Sequence, residues 1–129
     1  MKKYAVPIAL FSLLVFLLAF GWGVYLFLEE SANSFLNLAQ DIINPVKQEQ
    51  WEKAKDSFAQ SEKNWHKINK YWPMIIHHQE MDRIEESMSK LKGYLENEDK
   101  TEALAELNVL IRYIRHIPSK EAVNLQNIF

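Results

Sequence analysis

The side chains best suited to chemistry in this sequence are histidines and carboxylates in its second half. They are His66, His77, His78, Glu80, Asp82 and His116. Metal sites in helical bundles are built from imidazole and carboxylate groups on facing helices, and Zn²⁺ accepts such ligands. If the helices turn near residues 73 and 99, antiparallel pairing places these side chains in neighbouring layers at one end of a bundle. The candidate metal ligands are therefore His66, His78, Glu80 and His116.

A structural role is the competing interpretation of the same residues. The zinc motif H-E-x-x-H and the di-metal motif Glu-x-x-His do not occur, so the pattern is not specific for a metal. His77 lies on an apolar stripe and is expected to be a core histidine with a hydrogen-bond partner. No serine has a nucleophile-elbow context, and no glycine-rich phosphate loop is present. We therefore predict no catalytic residue, no cofactor and no enzyme activity.

Three segments repeat apolar residues at a spacing of three and four, which is typical of helices with one buried face. The first stripe is Trp51, Ala54, Phe58, Ser61, Trp65, Ile68 and Trp72. The second is Met74, His77, Met81, Ile84, Met88, Leu91 and Leu95, and the third is Leu104, Leu107, Ile111 and Ile114. The spacing predicts three helices that share one core, with the tryptophans in that core rather than in a ligand pocket.

Prolines and a capping pattern predict where these helices begin and end. Pro45 and Pro73 suit the first turns of two helices. Asp99 with Glu102 forms a capping-box pattern that opens the last long helix, and Pro118 is expected to follow its end.

Residues 4–28 form an uncharged stretch of 25 residues, preceded by Lys2 and Lys3 and followed by Glu29 and Glu30. About 20 apolar residues span a bilayer, so this stretch predicts a transmembrane helix. A cleaved secretory signal is the alternative, but its apolar region usually has only about 7 to 15 residues. The flanking lysines predict a cytoplasmic N-terminus and an extracytoplasmic C-terminal domain in the cell membrane.

The expected fold class is all-α, with an N-terminal transmembrane helix followed by an antiparallel three- to four-helix bundle. We expect a kink at Pro45, because a helix over residues 45–72 is about 42 Å long and would enter the bilayer if it folded back. The turn at Trp72 then lies at the far tip. The predicted organisation is an anchor with a short cytoplasmic N-terminus at 1–28, a stalk or first bundle helix at 29–44, the bundle at 45–117, and a tail packed on the bundle at 118–129.

Composition excludes several classes of function. After Leu28 the chain has 13 basic and 17 acidic residues without a run of basic ones, which disfavours nucleic-acid binding. The chain has no cysteine, so it has no disulfide or thiol chemistry. The polar part is long enough for one domain.

Several short segments resemble a known family. They are Trp65 to Lys67, His78 to Ile84, Leu91 to Leu95, and the ending Asn124 to Phe129. Together with the anchor they resemble an uncharacterised domain-of-unknown-function family of small membrane-anchored proteins, found mainly in Gram-positive and often endospore-forming bacteria, that end in Leu-x-Asn-Ile-Phe. The resemblance implies no activity or cofactor, and it implies a role beside a multi-pass membrane protein.

Two functions are consistent with the sequence. The first is a non-enzymatic accessory or adaptor that holds a helical domain outside the membrane for a membrane-protein partner. The alternative is an extracytoplasmic sensor or binding module for a metal ion or small ligand at the layer of His66, His78, Glu80 and His116.

Overall fold

The structure is a computed structural model that describes residues 2–128, with side chains from residue 2 to residue 117. A 3-10 turn at Lys2–Tyr4 precedes α1 (Ala5–Gln40), α2 (Ile43–Lys47), α3 (Trp51–Ile68), a 3-10 helix (Trp72–Met74), α4 (His78–Glu96) and α5 (Lys100–Ile128). No strand occurs among the described residues. The prediction of an all-α fold with a long apolar helix at its N-terminus is confirmed.

Helix α1 has two halves with different environments. From Tyr4 to Phe27 its apolar side chains are exposed or half-buried. An 18-residue window within Lys2–Lys47 has a mean hydropathy of 2.3, and none of it is buried. This one helix is long and apolar enough to cross a membrane. From Leu28 onward one face of the same helix is buried, at a spacing of three and four residues.

The second half of α1 packs with α3, α4 and α5 into an antiparallel four-helix bundle. Helix α1 lies between α3 and α5, and α4 lies between the same two helices on the other side. The largest fully buried side chains come from all four helices and their connections: Leu28, Phe35, Ile42, Val46, Ser61, Trp72, Ile84, Leu91, Leu95, Leu107, Leu110 and Ile114. We call the end of the bundle from which the apolar half of α1 extends the anchor end.

Of the two predictions for residues 29–44, a stalk or the first bundle helix, the structure agrees with the second, because α1 continues without a break into the bundle core as far as Gln40. The chain reverses over residues 41–50, where α2 is a separate short helix and Glu49 takes a left-handed φ of 56°. Helix α3 therefore begins at Trp51 rather than Pro45, and its 18 residues are about 27 Å long. This shorter helix folds back beside α1 without passing the anchor end. The Trp72 turn consequently lies at the anchor end and not at a far tip.

The connection between α3 and α4 contradicts two predicted core positions. Met74 is 82 % exposed and His77 is exposed, whereas Trp72 and Ile76 are buried. The prediction was wrong because residues 72–77 are not α-helical. A 3-10 helix is followed by His77 in extended conformation, with ψ of 143°, so the helical spacing begins only at His78.

The turn between α4 and α5 follows the predicted capping pattern. Glu98 has a left-handed φ of 54°, and the Glu102 backbone N–H donates to Asp99 Oδ1 at 3.2 Å. The predicted end of this helix before Pro118 is wrong, since α5 continues to Ile128. A proline removes one backbone hydrogen bond but need not end a helix. The predicted packing of the tail at 118–129 on the bundle lies outside the residues whose side chains are described.

Candidate functional site

The four candidate metal ligands lie on three helices towards the anchor end. His66 is in the last turn of α3, His78 is the first residue of α4, and both are exposed. Glu80 is half-buried in the first turn of α4, where it pairs with Arg83 at 3.7 Å. His116 is exposed on α5. The predicted shared level in the bundle therefore agrees with the antiparallel order of the helices.

Sharing a level does not bring these side chains together around one point. Among the described side chains, no group of three His, Cys, Asp or Glu residues is placed to hold a metal ion. A structural Zn²⁺ site needs about four such ligands in tetrahedral contact. The binding of a metal or ligand at His66, His78, Glu80 and His116 thus stays a prediction. The described side chains do not form a group of three ligands that would support it.

We expect Zn²⁺ to leave the unfolding temperature of the full-length protein unchanged. An ion present at 100 times its Kd would stabilise the fold by about 2.7 kcal/mol, a shift that differential scanning fluorimetry readily detects. His78→Ala and His116→Ala should respond to Zn²⁺ as the parent does. His77→Ala is the matched control, because His77 is exposed but is not one of the four candidate ligands. A Zn²⁺-dependent rise that His78→Ala abolishes and His77→Ala keeps would contradict this expectation.

The best-defined polar contact at the anchor end joins α1 to the Trp72 turn. The indole Nε1–H of Trp72 donates to Ser31 Oγ at 2.9 Å, and Ser31 Oγ donates to the Leu28 carbonyl at 3.1 Å. Trp72 is fully buried, so the serine satisfies a donor that has no access to water. The rings of Phe27 and Tyr71 also meet edge to face, with centroids 6.3 Å apart. These contacts fix the turn beside the point where α1 leaves the bundle.

The predicted core role of the tryptophan stripe is supported for its second half. Phe35 stacks on Trp65 with ring centroids 5.6 Å apart, and Trp65 meets Trp72 edge to face at 5.9 Å. All three side chains are buried. Trp51 is half-buried and packs against the same core. The aromatic side chains thus fill the bundle rather than line a cavity.

A shallow groove of about 250 Å³ runs between α1 and α5 near the anchor end. Tyr25 and Glu29 line it from α1, and Ile114 and Arg115 line it from α5. A wider depression of about 480 Å³ continues along α5 past Arg115. Both are open surfaces that combine apolar and charged side chains.

The surface charges elsewhere follow the helix period. Lys90 Nζ lies 3.0 Å from Glu86 Oε1 across one turn of α4. The hydrogen bond to Glu86, together with its charge, raises the pKa of Lys90 above its usual value. Lys92 of α4 reaches Glu62 of α3 at 3.6 Å. Exposed pairs of this kind contribute little to stability and need no functional explanation.

The geometry defines a class of protein: an up-and-down four-helix bundle whose first helix extends outward as a long apolar segment. The DUF4363 family, described as a domain of unknown function, matches residues 23–128. The chain belongs to this family, and the sequence resemblance to a domain-of-unknown-function family is confirmed at that level. No curated protein and no solved structure matches the chain.

Sequence reasoning missed the residues that organise the anchor end. Ser31 shows no motif, and its partner Trp72 is 41 positions away. The exposure of Tyr71 and Met74 was missed because the apolar stripe of α4 was assumed to begin at Met74 in a continuous helix. One available signal was the sequence Tyr71-Trp72 before Pro73, since tyrosine and tryptophan are enriched at membrane interfaces.

Proposed function

We propose that this protein is a single-pass membrane protein whose helical bundle stands outside the membrane and serves, without enzymatic activity, as an accessory to another membrane protein. The N-terminus lies in the cytoplasm, and the bundle lies on the extracytoplasmic side. This assignment gives a physical role to the two halves of α1, one in lipid and one in the bundle.

The anchor is supported by the environment of the first half of α1. Its most apolar window has no cover from the rest of the chain, and such a surface is stable only in lipid or against another protein. Lys2 and Lys3 precede it, and Glu29 and Glu30 follow it. Lysines favour the cytoplasmic side, which supports the proposed orientation.

The observation that carries the accessory role is the continuity of α1. One helix of 36 residues, about 54 Å long, connects the apolar segment to the bundle core. Phe35, within this helix, is fully buried. A partner that moves or rotates the membrane segment therefore moves the bundle with it.

The test is to crosslink tagged full-length protein in its native membranes, extract it in mild detergent and identify what is recovered by mass spectrometry. We expect one membrane protein to be recovered reproducibly. Gly23→Leu should reduce that recovery, because small residues let transmembrane helices approach closely. Gly93→Leu in α4 is the matched control. A Cβ added at either glycine meets nothing within 4 Å, so a side chain can leave the backbone at both positions without a clash.

The outcomes separate the parts of the proposal. If the partner is recovered with both variants, the accessory role stands. The partner would then contact the bundle and not the face of α1 that contains Gly23. Recovery of this protein alone, in the parent and in both variants, would overturn the accessory role.

A further inference from the structure

Large exposed apolar side chains are confined to two places in the described part of the chain. One is α1 and the residue before it, from Tyr4 to Phe27, and the other is the turn between α3 and α4. In that turn Tyr71 is 52 % exposed and Met74 is 82 % exposed. The remaining bundle surface, up to residue 117, exposes no other large apolar side chain. Up to residue 117, this turn is therefore the part of the bundle where large apolar side chains are most exposed.

This turn lies beside the end of the apolar half of α1. The edge-to-face contact of Phe27 with Tyr71 and the hydrogen bond of Trp72 with Ser31 tie it to residues 27–31. Tyr71 and Met74 cannot move far from this level without breaking the partly buried hydrogen bond between Trp72 and Ser31. Their exposed side chains consequently have a fixed height relative to α1.

The length of the uncharged stretch places that height at the edge of a bilayer. Residues 4–28 are about 37 Å long as a helix, whereas the hydrocarbon core is about 30 Å thick. The stretch is thus about five residues longer than the hydrocarbon core requires, so the hydrocarbon can end near Gly23. The interfacial layer of the bilayer then surrounds the residues of α1 that follow Gly23. Trp22 and Tyr25, whose ring centroids are 6.0 Å apart, fall in this zone. Such aromatic side chains are enriched at membrane interfaces.

The segment that contains this turn carries only basic charges, although Glu29 and Glu30 of α1 and Glu80 of α4 lie at the same end of the bundle. Residues 63–79 contain Lys63, Lys67 and Lys70 and no Asp or Glu, although the chain as a whole is acidic. All three lysines are exposed. Lysines close to a surface of anionic lipid are attracted to its headgroups. Apolar tips with flanking lysines are the combination that binds the boundary between headgroups and acyl chains.

We propose that Tyr71 and Met74 insert into the interfacial layer of the bilayer that α1 spans, with Lys67 and Lys70 against the anionic headgroups. This second membrane contact fixes the tilt and rotation of the bundle about α1. The inference rests on the proposed membrane anchoring and extends it. With α1 as its single membrane contact, the bundle can rotate and tilt relative to the membrane. With the turn as a second contact, its orientation is fixed and one defined face is available to a partner.

The absence of cysteine in the chain makes the test direct. Single variants Met74→Cys, Phe16→Cys and Asn97→Cys of the full-length protein carry a nitroxide label in nanodiscs of phosphatidylethanolamine and phosphatidylglycerol. Electron paramagnetic resonance then measures collisions with oxygen, which dissolves in lipid, and with a water-soluble nickel complex. Phe16 lies in the middle of the apolar stretch, and Asn97 is exposed at the end of the bundle opposite the anchor end. All three sites have exposed side chains, so the label disturbs no packing.

The label at Met74→Cys should collide with the nickel complex several-fold less than the label at Asn97→Cys. It should also show more oxygen contact than that control. Equal accessibility of these two labels, with Phe16→Cys shielded, would overturn the inference while the anchor stands. A label at Phe16→Cys that is open to the nickel complex would overturn the anchor itself. Shielding at Met74→Cys in native membranes but not in nanodiscs would assign the turn to a protein partner and overturn the lipid contact.

Discussion

Replacing Phe35 by alanine is expected to lower the free energy of unfolding of the bundle by about 3 to 5 kcal/mol. Phe35 is fully buried and stacks on Trp65 with ring centroids 5.6 Å apart. Truncation removes this contact and leaves a cavity between α1 and α3. Domains of this size are stable by about 5 to 15 kcal/mol, so the loss is a large part of the total. Guanidinium unfolding of the full-length protein in non-ionic detergent, followed by tryptophan fluorescence, measures it.

The same experiment tests whether residues 29–44 belong to the bundle. Asn37→Ala is the matched control, because Asn37 is exposed in the same helix and its loss should change stability by no more than about 0.5 kcal/mol. If these residues were a separate stalk, Phe35→Ala would unfold at the same denaturant concentration as Asn37→Ala. That result would contradict the four-helix core.

Three of the four bundle helices could be predicted from the sequence because their burial follows the helix period. Phe58 and Trp65 in α3, Ile84 and Leu91 in α4, and Leu107 in α5 are all buried as their spacing predicts. The Asp99 cap was predictable for a similar reason, since its partner Glu102 is only three residues away. Local rules succeed where the interacting groups are close in sequence.

The arrangement of α1 and of the Trp72 turn could not be predicted by such rules. The break at residues 41–50 depends on the left-handed backbone conformation of Glu49. Glutamate is not a residue type that indicates a positive φ, so the sequence does not predict this conformation. Treating residues 45–72 as one helix then favoured a kink at Pro45 over a fold-back. The turn at residues 72–77 failed likewise, since the helical period was extended through Met74 and His77. Both errors concern connections, which long-range packing decides.

The histidine layer shows how far the sequence predicts a site. Antiparallel register places His66, His78 and His116 towards the same end of the bundle. It does not determine whether side chains on neighbouring helices converge, because convergence depends on helix rotation and rotamers. His77 shows the size of this effect: one residue before α4 begins, it is exposed instead of buried.

Replacing Ser31 by alanine is expected to lower the free energy of unfolding by about 1 to 3 kcal/mol. The substitution removes the acceptor of the Trp72 Nε1–H, whose hydrogen bond is 2.9 Å long, and leaves that donor buried. A buried N–H without a partner loses its hydration and gains nothing in return. Ser34→Ala is the matched control, because Ser34 is exposed less than one turn further along α1.

A double-mutant cycle shows whether the loss comes from this hydrogen bond. Trp72→Phe removes the donor, so adding Ser31→Ala to it should cost much less than Ser31→Ala costs in the parent. The difference, the coupling energy, should lie between about 0.5 and 3 kcal/mol. The hydrogen bond also holds the turn at the level of residue 31, so Ser31→Ala should increase the mobility of a nitroxide at Met74→Cys. Equal costs in the two backgrounds would show that Ser31 acts through helix packing alone.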